Sequence, residues 1–459
     1  MAPKNIVLCC DGTGNQFGDT NSNVVKLYTA LTVNNQQVAY YHPGVGTMGS
    51  PQARSKLERS LSLLGGLAFA SGFMANVEDV YRYLMETYND GDKIYLFGFS
   101  RGSYTARALA AILHAYGLLC KGNEGHIPYV IRLFNDDMKA AREESRRHRK
   151  TRIGKKKSSL TVHDAFKETF SHNVTLHFVG LWDTVSSVGW ISQPFRLLYS
   201  AQNPIMQTGR HAISIDERRC FYQDNLWGPP LPMSETPTLV EEIINPDGTV
   251  TSRPITQDIL QVWFAGVHSN VGGSYPQAQS ALSNRTLDWL LQEATDHGLM
   301  VEPDRVNLIF GLPTERPYAA AKLYSVPPEP GIIHKSLAGA WWLLELLPHR
   351  YYVMDTDQEH WRIPFGSFRM LPTDAVVDAS VHKRINDPGA QYHPRFLADG
   401  HLKPHPGSQP GTANNLSGFF LYEPAKPRSH SSLRAAARTS LLLASVAVLL
   451  TSAVALSRQ

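Results

Sequence analysis

A serine that could act as a nucleophile follows an apolar run near the first quarter of the chain. Ser100 belongs to the pattern Gly-Phe-Ser-Arg-Gly, within the stretch KIYLFGFSRGSYTAR. The run Lys93–Phe97 is short, apolar and rich in β-formers, which predicts a buried strand, and Ser103–Leu113 has the composition of a helix. A strand, a G-x-S-x-G pattern and a helix in this order are typical of the sharp turn that presents a catalytic serine.

The two glycines of the pattern have a physical reason. A serine on so sharp a turn is held in a strained backbone conformation, and its neighbours must be nearly free of side chains. Gly98 and Gly102 meet this need. The bend would place the Ser100 hydroxyl over the following helix, with the backbone N–H of Arg101 facing a developing oxyanion. The alternative is an ordinary turn in which Ser100 caps the helix.

Acyl transfer at a serine needs a base and an acid that orients it, and the sequence offers both. Asp183 directly follows the predicted strand Val174–Trp182, and His268 lies just after the predicted strand Asp258–Phe264. The order Ser, Asp, His is that of α/β hydrolases, and open α/β sheets build their sites at such strand ends. The alternatives are a helix-capping role for Asp183 and a structural histidine at position 268.

A glycine-rich turn follows the first predicted strand, Asn5–Cys10, and contains Asp11, Gly12, Thr13 and Gly14. Its backbone N–H groups are candidates for contacting an oxyanion or the substrate. Asp11 itself is equally typical of a turn closed by its own side chain. A metal-dependent phosphohydrolase with Asp11 as nucleophile is a further alternative, but such enzymes usually carry a second acid two residues away, and those positions here are cysteine and threonine.

The predicted elements alternate between strands and helices, which favours an α/β fold with a mostly parallel sheet and helices on both faces. From residue 186 to about 254 the pattern becomes irregular, and we expect a cap-like insertion over the pocket. Within it, His211–Arg219 has the composition of a helix, and a further helix is predicted over Ser336–Leu346.

Composition limits the function classes. The chain has 459 residues, 42% of them hydrophobic and 18% charged, with a net charge of +4, which is typical of a globular protein. The run Arg146–Lys157 is strongly basic and is interpreted as a solvated loop, with nuclear targeting or an anionic surface contact as the alternative. The four cysteines have no metal-binding or disulfide-framework spacing and are expected to be reduced and buried. No metal, cofactor or nucleic-acid partner is expected.

The C-terminal part differs in composition. Residues 403–438 are rich in Pro, Gly, Ser and basic residues and are predicted to form a linker after a catalytic domain over residues 1–402. Thr439–Ser457 is an uncharged run that is just long enough to cross a bilayer. We therefore expect a single-pass tail anchor with the catalytic domain on the cytoplasmic side. The alternative is a terminal helix packed on the domain or lying in the membrane interface, which would leave the protein cytoplasmic.

Several motifs together resemble a known family. They are CDGTGN, GVGT, YLFGFSRGSYTAR, GLWDTV, RHAISIDERR and VHSNVGGSY, in this order. The chain is similar to the α/β-hydrolase domain of type VI secretion phospholipase effectors. The resemblance implies an α/β-hydrolase fold, a triad of Ser100, Asp183 and His268, and hydrolysis of carboxylic esters, with glycerophospholipids as substrates. Family members often carry Asp where this chain has Asn270, and the resemblance implies nothing about a hydrophobic tail.

The sequence therefore predicts a serine esterase or phospholipase that acts on a lipid or small-molecule ester. Ser100 attacks, His268 transfers the proton and Asp183 orients the histidine, while the N–H of Arg101 and the Asp11 turn hold the oxyanion. The Arg101 side chain is a candidate for pairing with a phosphate head group, or else forms a structural salt bridge. A membrane-tethered interaction protein without catalytic activity is the non-enzymatic alternative.

Overall fold

The computed structural model describes residues 3–12, 15, 17–44, 66–148, 160–185, 189–190, 193–194, 197–236, 239–244, 250–339, 341–353, 358–406 and 418–425. Its strands, in chain order, are β1 Asn5–Cys10, β2 Gln37–His42, β3 Lys93–Phe99, β4 Leu118–Leu119, β5 Ser171–His172, β6 Leu176–Trp182, β7 Gly189–Trp190, β8 Gln193–Pro194, β9 Met206–Ser214, β10 Val240–Ile244, β11 Val250–Pro254, β12 Asp258–Phe264, β13 His349–Val353, β14 Gln358–Arg362, β15 Val376–Asp378, β16 Gly400–Pro404 and β17 Phe419–Pro424. The α-helices are Asn23–Ala30, Gly66–Thr87, Arg101–Tyr116, Ile127–His148, Leu160–Phe170, His268–Gly272, Ala281–Asp296, Pro303–Phe310, Trp341–Glu345 and Ala379–Ile385.

A mixed α/β sheet organises the described residues. Nine strands pair in the order β16-β17-β15-β12-β9-β6-β3-β1-β2. The seven strands from β15 to β2 run parallel, and β17 and β16 add an antiparallel edge. Because parallel neighbours end at the same edge of a sheet, the residues after β1, β3, β6, β9 and β12 meet there.

Helices cover both faces of the sheet, as predicted. Along β1, Ile6, Leu8 and Cys10 belong to one apolar cluster, and Val7 and Cys9 belong to another. The first cluster includes buried side chains of the helices 66–87, 101–116 and 127–148. The second includes side chains of the helices 23–30, 281–296 and 303–310. The period of two along the strand therefore supplies a core on each side.

A central strand of the sheet, β9, was predicted as a helix. The helix predicted over His211–Arg219 is wrong, because Met206–Ser214 forms β9, which lies between β6 and β12. This stretch is buried on both faces, so it lacks the alternation of apolar and polar residues that marks a half-exposed strand. The charged residues that follow it have the composition of a helix. The segment from 186 to 254 therefore contributes to the sheet and is not a cap throughout.

Two further expectations need correction. The helix predicted over Ser336–Leu346 is limited to Trp341–Glu345. Strand β17 lies inside the segment predicted as a linker, so the sheet continues beyond residue 402 and includes Pro424. Its six residues are flanked by Pro- and Gly-rich stretches, so the composition of the whole segment favoured a linker. The predicted tail anchor, Thr439–Ser457, and residues 149–157 of the basic run lie outside the described residues. Among the helices that are described, none is both long and apolar enough to cross a bilayer.

Candidate active site

Ser100 occupies the strained turn that the sequence predicts. It lies between β3 and the helix Arg101–Tyr116 with φ 58° and ψ −121°, a conformation that a residue with a side chain adopts only under constraint. Its backbone N–H donates to the carbonyl of Trp182 at the end of β6. The hydroxyl makes no capping hydrogen bond to the helix, so the capping alternative is not supported.

Both glycines of the motif are required by close backbone approach. A Cβ on Gly98 would lie 2.6 Å from the Cα of Ser103. A Cβ on Gly102 would lie 2.6 Å from the carbonyl oxygen of Asp11 and even closer to that of Cys10. The turn that carries Ser100 thus packs directly against the turn after β1.

Asp183 and His268, the predicted acid and base, lie 85 positions apart in the chain, and the fold brings them into direct contact. The Nδ1 of His268 lies 2.6 Å from Oδ2 of Asp183, and both side chains are buried. The other carboxylate oxygen of Asp183 accepts the backbone N–H of Ser214 at 2.8 Å, at the end of β9. Because the Asp183 carboxylate accepts a hydrogen bond from Nδ1 of His268, a neutral His268 carries its proton on Nδ1 and keeps a lone pair on Nε2.

The charge states follow from the surroundings. Burial opposes ionisation of Asp183, but the guanidinium of Arg369 and the hydrogen bond from His268 outweigh it, and the pKa of Asp183 lies well below its usual range. Burial lowers the pKa of His268 from its ordinary value, although Asp183 opposes that shift. At neutral pH the pair is therefore a carboxylate beside a neutral imidazole, which is the state that a general base needs.

Two aromatic rings hold the imidazole of His268. Phe99, the residue before Ser100, stacks on it with ring centroids 4.8 Å apart, and Tyr222 meets it edge-on at 4.7 Å. The stacking on Phe99 brings the histidine next to the turn that carries Ser100. No hydrogen bond joins Ser100 to His268 among the described residues. Such contacts are often long without substrate and shorten only when it binds.

Arg369 is a site residue that the sequence analysis missed. Its guanidinium donates to both oxygens of Asp183, at 2.5 Å and 3.1 Å, and to the hydroxyl of Ser214 at 2.7 Å. It also donates to the carbonyl of Tyr222. The residue lies in an irregular segment after β14, where neither a strand end nor a motif marks it, and no sequence signal would have found it.

A second buried carboxylate supports the backbone of His268. Glu217, in the segment after β9, accepts the N–H of His268 at 3.2 Å and the side chain of Arg219 at 2.9 Å and 3.0 Å. Burial opposes its ionisation, but Arg219 and Arg369 lower the pKa of Glu217 to about 2. Arg219 in turn lies over the ring of Tyr222, 3.7 Å from its centroid. Glu217 and Arg219, which lie in the segment predicted as a helix, thus fix the loop that carries His268.

Asp11 organises the turn beside Ser100 rather than facing an open site. Its carboxylate accepts four hydrogen bonds, from the N–H of Gly12 at 2.6 Å, the amide of Asn15 at 2.8 Å, and the hydroxyls of Ser22 at 2.6 Å and Tyr41 at 2.8 Å. Burial raises the pKa of Asp11 even though these donors oppose the shift. The Asp11 side chain thus closes the turn, which is one of the two roles that the sequence allowed for it.

The same turn limits the predicted oxyanion donors. The N–H of Gly12 is already used by Asp11, so Gly12 serves through its small size: a Cβ there would lie 3.3 Å from the Cβ of Ser100. Thr13 lies outside the described residues. Arg101 is the first residue of the helix after Ser100, as predicted, and burial lowers the pKa of its side chain to about 10.

Asn270, where relatives often carry Asp, has a structural use. Its amide donates to the carbonyl of Ile332 at 3.0 Å, and its carbonyl oxygen accepts the N–H groups of Val267 and His334. An aspartate could not donate to Ile332. Asn270 therefore ties the histidine loop to the segment around residue 332.

Comparison with known proteins identifies the family. The family model described as "T6SS, Phospholipase effector Tle1-like, catalytic domain" matches residues 4–293. The chain belongs to this family. The matched region contains Ser100, Asp183 and His268, whereas Arg369 lies beyond it. The Tle1-like match thus agrees with the resemblance carried by the motifs.

Individual relatives of the Tle1-like chain are distant. An uncharacterized protein of Saccharomyces cerevisiae, YEL023C, is 26% identical over 66% of this chain and 58% of its own length. An uncharacterized protein from Pseudomonas aeruginosa has a solved structure that is 18% identical, with a TM-score of 0.35, over 70% of this chain and 49% of that one. The Tle1 effector bound to the VgrG spike of the type 6 secretion system is 16% identical, with a TM-score of 0.29, over 61% of this chain and 52% of that one. This chain thus spans 49–58% of the length of these proteins.

Proposed function

We propose that this chain is a serine hydrolase with the α/β-hydrolase fold, which cleaves carboxylic ester bonds of phospholipids or related lipids. Ser100 is the nucleophile, His268 the general base and acid, and Asp183 the residue that orients and stabilises the histidine. The observation that carries the proposal is the buried contact of 2.6 Å between Asp183 and His268, with Phe99 linking the imidazole to the turn of Ser100. Membership of the phospholipase effector family supports the substrate class.

The proton path follows from the tautomer. Asp183 accepts the Nδ1–H of His268, so Nε2 is basic and takes the Ser100 proton as the hydroxyl attacks the ester carbonyl. The imidazolium that forms is stabilised by Asp183, which stays ionised because Arg369 and His268 hold its pKa down. His268 then gives the proton to the leaving alcohol, and an acyl group remains on Ser100. Water attacks this acyl group while His268 again transfers the proton, which releases the acid and restores the Ser100 hydroxyl.

The oxyanion is held by the backbone N–H of Arg101 and by the turn that begins at Asp11. The positive φ of Ser100 places its side chain at the N-terminus of the helix Arg101–Tyr116, where N–H groups and the helix dipole favour negative charge. The N–H of Gly12 donates to Asp11, so the proposed second donor is a residue after Gly12 in this turn. Thr13 is the first candidate.

The experiment compares the wild-type chain with Ser100→Ala on a short-chain phosphatidylcholine and on p-nitrophenyl butyrate. We expect kcat to fall by about 10⁶-fold, because the nucleophile is lost. Labelling of the wild type by a fluorophosphonate probe should disappear in the same variant. Circular dichroism and the melting temperature check that Ser100→Ala is folded.

A matched control is Ser325→Ala, since Ser325 is an exposed serine outside the proposed triad. It should keep wild-type activity and labelling. Undiminished hydrolysis by folded Ser100→Ala would refute the proposal. Absence of labelling and of hydrolysis in the wild type would favour the non-catalytic interaction protein. The tail anchor over Thr439–Ser457 remains a prediction, and fractionation of cells that express the chain with and without this segment tests it.

A further inference from the structure

A cavity of about 520 Å³ lies behind the histidine loop and has no role in the proposed mechanism. Its wall includes Asp216, Arg218, Val267, Lys335, Arg384 and Tyr392. Val267 directly precedes His268, and Asp216 directly precedes Glu217, the carboxylate that holds the backbone of His268. The volume lies within the range of small-molecule sites, roughly 300–1,000 Å³.

Three cations line this cavity, and none of them forms an ion pair with a carboxylate among the described residues. Arg384 is only 9% exposed, and its guanidinium donates to the carbonyls of Pro330 and Gly331. Its charge is therefore fixed in place. Asp216 is near enough to interact with it electrostatically, but the two form no ion pair. Arg218 donates through Nε to the carbonyl of Gly366 at 2.8 Å and lies over the ring of Phe368.

Lys335 is the third of these cations. It is exposed, lines the cavity, and has no hydrogen bond or ion pair with any described residue. A cavity that gathers three cations against one carboxylate attracts an anion, because the anion offsets the remaining positive charge.

The one carboxyl group in the wall does not cancel these charges. Asp216 accepts the N–H of Gly266 at 2.6 Å and the hydroxyl of Tyr392 at 2.9 Å, so its oxygens are used by the protein. Burial raises the pKa of Asp216 to about 6, although Arg384 opposes the shift, so Asp216 is mostly ionised at pH 7.5 and offsets one of the three positive charges. With three cations against one carboxylate, the charged side chains of the wall keep a net positive charge.

Apolar side chains complete the wall. Ile332, Ile333 and Leu337 line the cavity beside the cations, and Ile332 is 54% exposed. Ser336, between them, donates to Glu217 at 2.9 Å. The same wall thus offers cations for an anion and apolar surface for attached carbon, and it is joined through Glu217 to the histidine loop.

We propose that this cavity binds an anionic phosphate group, with Arg218 and Lys335 contacting the oxygens and Arg384 supplying fixed charge. Guanidinium and ammonium donors are suited to phosphate oxygens. The group belongs either to the head group of a lipid substrate, an arm that rests on the proposed function, or to free phosphate. The shared chemistry is the same in both.

The first test does not depend on catalysis. Calorimetric titration of the whole chain carrying Ser100→Ala with inorganic phosphate, at pH 7.5 and low ionic strength, measures binding directly. Adding Lys335→Ala or Arg218→Gln should each weaken the phosphate affinity about tenfold, because one charge-assisted contact is lost. Lys322→Ala, which removes an exposed lysine outside the cavity, should bind as the parent does.

Absence of phosphate binding, or equal binding by the parent and both cavity variants, would overturn the proposal. Lys335 is exposed, so a folding defect is not expected there even if Arg218→Gln disturbs the packing on Phe368. This outcome is separate from the fate of the serine mechanism, because the titration needs no turnover.

A kinetic comparison distinguishes the two sources of phosphate. If the group belongs to the substrate, Lys335→Ala lowers the ratio of kcat/KM for a short-chain phosphatidic acid to kcat/KM for p-nitrophenyl butyrate, about tenfold, and Lys322→Ala keeps the wild-type ratio. If free phosphate is the ligand, the ratio is unchanged, and added inorganic phosphate alters butyrate hydrolysis in the wild type but not in Lys335→Ala. A ratio and a phosphate response that both match the wild type in Lys335→Ala would contradict the proposal.

Discussion

Arg369 donates to both carboxylate oxygens of Asp183, so the acid of the candidate triad is paired with a buried guanidinium as well as with His268. Both Arg369 and Asp183 are almost fully buried. The pair fixes the carboxylate plane, and with it the direction from which His268 is held. It also places a residue from beyond the family match in direct contact with a residue inside it.

Replacing Arg369 by Gln should therefore cost both stability and activity. The buried carboxylate of Asp183 would lose its cation, and breaking such a pair destabilises a fold by about 3 kcal/mol. A small displacement of His268 lowers kcat/KM by about 10²-fold. Urea denaturation and ester hydrolysis measure the two effects.

The pH profile separates positioning from a general loss of structure. Removing the positive charge of Arg369 favours the protonated form of the Asp183–His268 pair, so the acid limb of kcat/KM, which reports protonation of His268, should move to higher pH in Arg369→Gln. Arg369→Lys should restore part of the activity, and Arg395→Gln, a change at an exposed arginine, should behave as the wild type. An unshifted limb with full activity would show that Arg369 does not position Asp183.

The candidate triad was predictable because each member follows a strand with a local signal. β3, β6 and β12 are apolar runs, and Ser100, Asp183 and His268 stand at or just after their ends. In a parallel sheet, strand ends share an edge whatever the loops between them do, so the order of the elements was enough. Arg369 has no such marker, since its contact with Asp183 depends on the path of an irregular segment.

The sheet itself was only partly predictable. β9 is buried on both faces and is followed by Asp216, Glu217, Arg218 and Arg219, so its local pattern favoured a helix. Its place between β6 and β12 is set by tertiary pairing, which overrides local propensity. The charged residues have partners only in the folded chain, where they support the histidine loop and line the cavity.

Gly102→Ala should disrupt the serine turn. The new Cβ would lie 2.6 Å from the carbonyl oxygen of Asp11, and neither the turn nor β1 can move without breaking sheet contacts. We expect a loss of about 3 kcal/mol and no detectable hydrolysis. Gly125→Ala is the matched control, because a Cβ at that position meets no atom within 4 Å. Normal stability and activity of Gly102→Ala would contradict the close packing of the two turns.

Acid should destabilise the fold partly through His211. This histidine accepts the N–H of Thr184 at 3.1 Å, and burial, with the nearby charge of Arg107, lowers its pKa to about 3. A histidine with a lowered folded pKa contributes stability that is complete above pH 6.5 and is lost as pH falls, because the unfolded chain takes up the proton first. Between pH 7.5 and pH 5 the loss from this group is about 2 kcal/mol.

Urea denaturation at the two pH values tests this linkage. His211→Gln should be less stable than the wild type at pH 7.5 but should lose about 2 kcal/mol less on acidification. His401→Gln, at an exposed histidine, should keep the wild-type dependence. An equal pH dependence in wild type and His211→Gln would show that His211 is not kept neutral by burial.

Asp11 distinguishes the serine mechanism from an aspartate-based phosphohydrolase. An amide at this position can still accept from Gly12 and Asn15, and its NH₂ group can donate to the hydroxyls of Ser22 and Tyr41 if these rotate. Asp11→Asn should therefore retain ester hydrolysis within about tenfold of the wild type. Asp11→Ala would leave four buried donors without an acceptor, at about 1–3 kcal/mol each, and should be much less stable.

An aspartate-based mechanism predicts different results for the same variants. If the Asp11 carboxylate were a nucleophile, Asp11→Asn would abolish turnover as completely as Asp11→Ala, and a chelator would abolish turnover in the wild type. Under the serine mechanism the chelator has no effect, and the loss in Asp11→Ala tracks its stability in denaturation curves. Steady-state kinetics on p-nitrophenyl butyrate and on p-nitrophenyl phosphate, with and without EDTA, separate the two, because only an aspartate nucleophile predicts EDTA-sensitive release of phosphate.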